Sequence, residues 1–148
     1  MNARTINGPQ RTQRISTDRG VTWKPAEGLA DLPENNCEGC LCSCYRSGSN
    51  GQHDWIFAHP LMTSRAEVHV WIREDAGKSW PRTQRIWAGP CAYTSMARLP
   101  QGGQVAVLLE CGTRTIYDQI AFIKVAPEWL KARPAPETPK PAPAVEKK

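Results

Sequence analysis

Apolar and polar residues alternate along Glu67-Val68-His69-Val70-Trp71-Ile72-Arg73, so that Val68, Val70 and Ile72 share one side. A period of two is the signature of a half-buried strand. Other short runs of strand-forming residues fall at 11–16, Cys40–Tyr45, 55–58, 83–87, 94–99, 105–110 and Gln119–Val125, with Gly, Pro, Asn or Asp clusters between them. Only 127–132, PEWLKA, has helical character, with Pro127 suited to a first turn. The final stretch, 133–148, reads RPAPETPKPAPAVEKK. It has almost nothing to bury and is expected to be a disordered tail. The pattern therefore predicts an all-β domain over 1–132 with a short C-terminal helix.

Two segments repeat. Asp18-Arg19-Gly20-Val21-Thr22-Trp23 and Asp75-Ala76-Gly77-Lys78-Ser79-Trp80 share D-x-G-x-[ST]-W, 57 residues apart, and each follows a predicted strand. The chemistry is that of a tight hairpin. The Asp carboxylate accepts bonds from backbone N–H groups inside the turn, and Gly20 or Gly77 permits a positive φ. The Thr22 or Ser79 hydroxyl closes the turn, and Trp23 or Trp80 plugs it against the sheet. Repetition at about 40–60 residues points to the blades of a β-propeller.

Composition changes this picture little. With 148 residues, 40% of them hydrophobic and six tryptophans, the chain can bury a core. No apolar run reaches the length of a membrane span, and no apolar h-region follows Met1, so neither a span nor a signal peptide is expected. Net charge is +5, of which +3 lies from Leu130 onward. A nucleic-acid binder concentrates its charge on the folded part, so no nucleic-acid partner is expected. The six cysteines include Cys37, Cys40, Cys42 and Cys44, which first suggest zinc. Zinc sites pair two knuckles, or a knuckle with two histidines, and neither partner follows. Alternation at 40, 42 and 44 instead fits small packing residues on one face of an inner strand. No metal and no cofactor are expected.

Three further segments carry the chemistry: Asn2-Ala3-Arg4, Ala58-His59-Pro60 followed by Arg65, and Gly89-Pro90-Cys91-Ala92-Tyr93-Thr94 ahead of Leu108-Leu109-Glu110. In this order, with the two D-x-G-x-[ST]-W turns, the chain resembles the C-terminal part of the exo-α-sialidases. The repeated turn resembles their Asp-box, and Cys37-Glu38-Gly39-Cys40 resembles their C-x-G-S strand. The resemblance runs from Asn2 to about residue 125. It implies a partial six-bladed propeller of about two and a half blades: half a blade over 1–31, a full blade over 37–88 and three strands over 91–125. It implies that Tyr93 is the nucleophile, that Arg4 and Arg65 are two of three arginines gripping the substrate carboxylate, and that Glu110 braces the first arginine. Thr94 and Leu109 stand where the family has Ser and Tyr. Arg73, at the start of the second Asp-box, is given a structural role. Arg11 and the other arginines are read as solvated charges.

Physical chemistry suits this set to sialic acid. Planar guanidinium groups bind a carboxylate with paired, charge-assisted bonds. That carboxylate, attached to the anomeric carbon, would repel an Asp or Glu nucleophile, and a neutral phenol avoids the repulsion; sialidases are a known exception to the two-carboxylate rule. A free phenol titrates near about 10, so it needs a base beside it. The resemblance places that glutamate, the acid–base aspartate, the first arginine and the N-terminal blades upstream of Asn2. The expected function is therefore a retaining sialidase acting on terminal α-linked sialic acids of glycoproteins, glycolipids and oligosaccharides, with this chain a piece inactive by itself. A trans-sialidase would share every residue named. The alternative class is a non-catalytic Asp-box propeller that binds glycans or acts as a scaffold.

Overall fold

The computed structural model describes residues 1–5, 10–26, 32–34, 36–45, 53–61, 65–73, 80, 82–100, 103–126, 128, 129 and 132. Among them nine strands form: β1 (Asn2–Ala3), β2 (Thr12–Ile15), β3 (Lys24–Pro25), β4 (Cys40–Tyr45), β5 (His53–Pro60), β6 (Ala66–Arg73), β7 (Arg82–Arg98), β8 (Val105–Cys111) and β9 (Gln119–Val125). All neighbours pair antiparallel, in a β1-β2-β3 sheet and a β4-β5-β6-β7-β8-β9 sheet.

The six-stranded sheet is two blades sharing one long strand. Residues Arg82 to Pro90 of β7 pair with β6, and Cys91 to Arg98 pair with β8. The first half is the outer strand of one blade and the second half is the inner strand of the next. The sheet curls so that these inner strands meet. Met96 N–H donates to Cys40 Sγ at 3.2 Å, and the Thr94 hydroxyl donates to the Ala58 carbonyl at 3.1 Å. This is a partial β-propeller.

Sequence pattern and strand boundaries agree for β4 and β9 and differ for β7. The runs 83–87 and 94–99 belong to one 17-residue strand. Gly89-Pro90 has the composition of a turn, but Pro90 is register partner of Ala66, and its carbonyl accepts from Gly112 N–H at 3.0 Å. A proline lacks only the donor, so it can sit where its acceptor is used.

Both faces of the complete blade are buried. Ile56, Ala58, Val70 and Ile72 pack with Val105, Val107 and Val125 of the next blade. Phe57 and Trp71 point the other way, into a cluster with Leu32 and Trp80. Burying each of these large side chains contributes about 1.5–3 kcal/mol. Gly39 is tied to this packing: a Cβ there would lie 2.5 Å from the Phe57 ring.

At the C-terminal end Glu128 and Trp129 are helical, and Ala132 N–H donates to the Glu128 carbonyl at 2.9 Å. The Gln84 side-chain amide holds this turn, donating to the carbonyls of Trp129 and Ala132. The predicted tail, 133–148, lies outside the described residues, as do Asp75, Gly77 and Ser79 of the second Asp-box.

Candidate active site

The first D-x-G-x-[ST]-W turn is built on Asp18. Its carboxylate accepts from the Thr22 N–H at 2.9 and 3.0 Å, from the Thr22 hydroxyl, and from the Ser16 hydroxyl at 2.7 Å. These bonds, the Thr22 hydroxyl first, lower the Asp18 pKa to about 2. Gly20 has φ 92°, in the region that favours glycine. The two tryptophans differ. Trp80 is buried and packs tilted against Phe57, whereas Trp23 is 41% exposed and donates from Nε1 to its own turn, at the Gly20 carbonyl. Arg73 is buried against Trp80, its guanidinium carbon 5.7 Å from a ring centroid.

Tyr93 sits on a β-bulge. Between the pairs Cys91↔Cys111 and Thr94↔Leu109, β7 advances three residues while β8 advances two. The extra residue releases backbone from the ladder and re-aims side chains, as bulges do. The freed Tyr93 N–H donates to Glu110 Oε2 at 3.3 Å. Glu110 thus fixes the bulge that presents Tyr93, and the Tyr93 side chain is exposed.

Arg65 precedes β6 with φ 54°, and Glu67 has φ 59°. Non-glycine residues in this region are strained and concentrate at functional sites. The Arg65 carbonyl accepts from Cys91 N–H at 2.9 Å, which ties its backbone to the strand of Tyr93. Its Nη2 donates to the Asn36 carbonyl at 3.0 Å, and its guanidinium carbon lies 5.6 Å from the Tyr93 ring centroid. That is within cation–π range.

Arg4 follows β1 and is exposed. Together with Tyr93, Arg11, Glu38 and Gly39 it lines a cleft of about 340 Å³. The structure therefore brings Arg4, Arg65 and Tyr93 together from distant parts of the chain, with Glu110 behind the tyrosine.

Arg11 is a correction to its reading as a solvated charge. Its side chain is 2% exposed and forms an ion pair with Glu34, Nη1 to Oε2 at 3.2 Å, with Glu34 1% exposed. Nη1 also donates to the Cys37 carbonyl at 2.9 Å and Nε to Asn2 Oδ1 at 2.6 Å. Burial lowers the Arg11 pKa, while the Glu34 carboxylate opposes that shift; Arg4 adds repulsion and Glu38 partly offsets it. Glu34 is the hub. It also accepts from Thr5 N–H at 3.0 Å, beside Arg4, and from Asn36 N–H at 2.6 Å, whose carbonyl holds Arg65. One buried carboxylate thus links the segments carrying both candidate arginines. No local pattern marks Glu34 or Arg11, because their partners are 23 residues apart.

Arg11 is committed to Glu34, so Arg4 is the exposed guanidinium of the cleft, with Glu38 and Tyr93 in the same lining, and Arg65 lies beside the Tyr93 ring. Arg4 and Arg65 are the two guanidinium groups placed to meet a small anion at Tyr93.

No family model matches the chain. Bovine Sialidase-3 is 28% identical over 99 residues, covering 62% of this chain and 23% of that protein. Human Sialidase-4 is 37% identical over 75 residues, covering 45% of this chain and 15% of that protein. The crystal structure of the intramolecular trans-sialidase from Ruminococcus gnavus, in complex with oseltamivir carboxylate, matches with TM-score 0.66 over 90% of this chain, at 16% identity.

The chain is thus similar to the sialidases in sequence over part of its length and to a trans-sialidase in fold. It spans less than a quarter of the length of the curated sialidases it matches and 33% of the trans-sialidase chain.

Proposed function

We propose that this chain is part of a retaining sialidase that removes terminal α-linked sialic acid from glycoconjugates. Tyr93 is the nucleophile, and Arg4 and Arg65 bind the substrate carboxylate. Glu110 accepts from the Tyr93 backbone N–H and would brace the first arginine of the triad. The observation that carries the proposal is convergence. Arg4 and Tyr93 line one cleft, and the Arg65 guanidinium lies over the Tyr93 ring, although 89 residues separate the first from the last of them.

The phenol would attack the anomeric carbon while the arginines hold the carboxylate bonded to that carbon. A carboxylate base for Tyr93, an acid–base aspartate and a third arginine are expected from sequence beyond these 148 residues. The chain alone should therefore bind the carboxylate weakly and show no turnover.

The test is ligand-observed NMR with an unsaturated sialic-acid analogue, alongside a fluorogenic sialoside assay from about pH 4 to about pH 7. Expected are weak binding by the wild-type chain, loss of binding in Arg65→Ala, and no hydrolysis. Absence of binding in a folded wild-type chain, or binding unchanged in Arg65→Ala, would overturn the proposal. Clear turnover lost in Tyr93→Phe would instead overturn the need for upstream residues.

A further inference from the structure

Two buried thiols that the sialidase chemistry does not use face each other across β7 and β8. Cys91 and Cys111 are register partners, and both are fully buried and free. The hydrogen bond from Gly112 N–H to the Pro90 carbonyl defines the kind of pair they form. Because the residues one step outside them are bonded, Cys91 and Cys111 occupy a non-hydrogen-bonded position. There the Cα atoms approach to about 4.5 Å and the side chains lie closer than at bonded pairs. That separation falls inside the range a disulfide spans, about 4.4–6.8 Å. Cys91 N–H is directed elsewhere, to the Arg65 carbonyl, so closing a bridge breaks no ladder bond at that residue.

We propose that Cys91 and Cys111 are a cross-strand redox pair whose disulfide clamps the strand of Tyr93 to the strand of Glu110. The reaction is exchange with a small disulfide such as oxidised glutathione. One cysteine thiolate attacks a sulfur of that disulfide and expels a small thiolate. The second cysteine thiolate then attacks the mixed disulfide and expels the other. Two thiols are oxidised, the small disulfide is reduced to two thiols, and the two cysteine protons end on them.

Burial decides when this happens. It raises the Cys91 pKa to about 12, with the Cys37 and Cys111 thiols adding to the shift. A thiol so placed is inert while the strands stay closed. The bridge therefore forms while β7 and β8 come together during folding, or when that pair opens. Its position matters because the bulge that presents Tyr93 begins immediately after Cys91. Cys37 is the competing partner, since it also acts on Cys91. Among the described residues no group of three His, Cys, Asp or Glu is arranged to hold a metal, so the nearby thiols are not read as a metal site.

Trypsin separates the possibilities. Cys91 lies alone between Arg85 and Arg98, Cys111 alone between Arg98 and Arg114, and the other four cysteines share the piece from Gly20 to Arg46. The full chain is refolded from the reduced state in a reduced/oxidised glutathione buffer, alkylated, digested without reductant and weighed. A parallel sample is oxidised in denaturant. The expected result is a dominant peptide joining the Cys91 and Cys111 pieces, two hydrogens lighter than their sum, in the refolded sample only. Circular dichroism of the Cys91→Ala/Cys111→Ala variant checks that the fold survives without the pair. Dominant linkage of Cys91 to the Gly20–Arg46 piece, pairing no different from the denatured sample, or both thiols alkylated would each overturn the proposal.

Discussion

The buried Arg11–Glu34 pair offers a sharp test, because its cost on disruption depends on whether it is out of water. In Glu34→Ala the guanidinium stays in place, 2% exposed, with its counter-charge gone. Breaking a buried pair from one side costs about 3–5 kcal/mol. Thr5 and Asn36 N–H lose their acceptor too, but both are part-buried and water can replace it. Against the ~5–15 kcal/mol that holds an ordinary domain together, this is a large fraction. Glu34→Gln keeps the shape and one carbonyl acceptor but removes the charge, and should cost about 1.5–3 kcal/mol. Arg11→Met/Glu34→Leu removes both charges and should recover most of the loss, because a buried pair is often matched by apolar residues of similar size. The assay is urea unfolding followed by tryptophan fluorescence, arranged as a double-mutant cycle. A coupling of at least about 2 kcal/mol is expected. If the single effects add to within about 0.5 kcal/mol, the two side chains do not act as a pair and the hub does not exist. Glu34→Gln should also weaken binding of the sialic-acid analogue, since Glu34 holds the neighbours of both Arg4 and Arg65.

The remaining predictions concern mechanism, pH and surface. In a version joined to upstream blades, Tyr93→Phe should abolish turnover and keep binding, Arg65→Lys should lower kcat/KM at least about tenfold because an ammonium cannot form the paired contact, and Arg73→Lys should change kcat/KM little; equal losses at Arg65 and Arg73 would show the wrong arginine was chosen. His59 is fully buried and stacks on Phe57. Burial lowers its pKa to about 3, with Arg11 adding to the shift and backbone contacts at Cys37 and Pro60 opposing it. The unfolded chain therefore takes up a proton below about 6.5 that the folded chain refuses, and stability should fall as pH drops from about 6.5 toward 3; His59→Phe should flatten that window in thermal melts, and an unchanged profile would refute the assignment. Asp18 is also lowered to about 2, so its turn is fully bonded above about 4 and loses those bonds as pH falls through about 2; Asp18→Asn should remove this acid dependence from amide exchange at Thr22. Leu108 on β8 and Ile120 and Phe122 on the edge strand β9 are exposed, so the chain should self-associate, and Phe122→Lys should shift it toward monomer in sedimentation; a wild-type chain that sediments as a monomer would count against an uncovered blade face.

What the sequence determined by itself is local. The period-two pattern of Val68, Val70 and Ile72 placed β6. Cys40–Tyr45 and Gln119–Val125 fell on strands with the same bounds, because a short run of strand-forming residues between turn formers has little other choice. The turn at Asp18 was legible for the same reason: its donors and acceptors lie within six residues of one another. The sialidase resemblance rested on short segments whose order is written in the chain. Tertiary structure decided everything that depends on register and closure. Gly89-Pro90 reads as a turn, but pairing with Ala66 on one side and Gly112 on the other carries β7 straight through it. The bulge at Tyr93 exists because β7 and β8 fall out of step by one residue, which no local pattern records. Arg11 looks like any surface arginine until Glu34, Asn2 and Cys37 close around it. Cys91 and Cys111, 20 residues apart, become neighbours only through the register that also sets the bulge. A strand's face is fixed by its own residues, whereas its partner and register are fixed by packing against residues far along the chain.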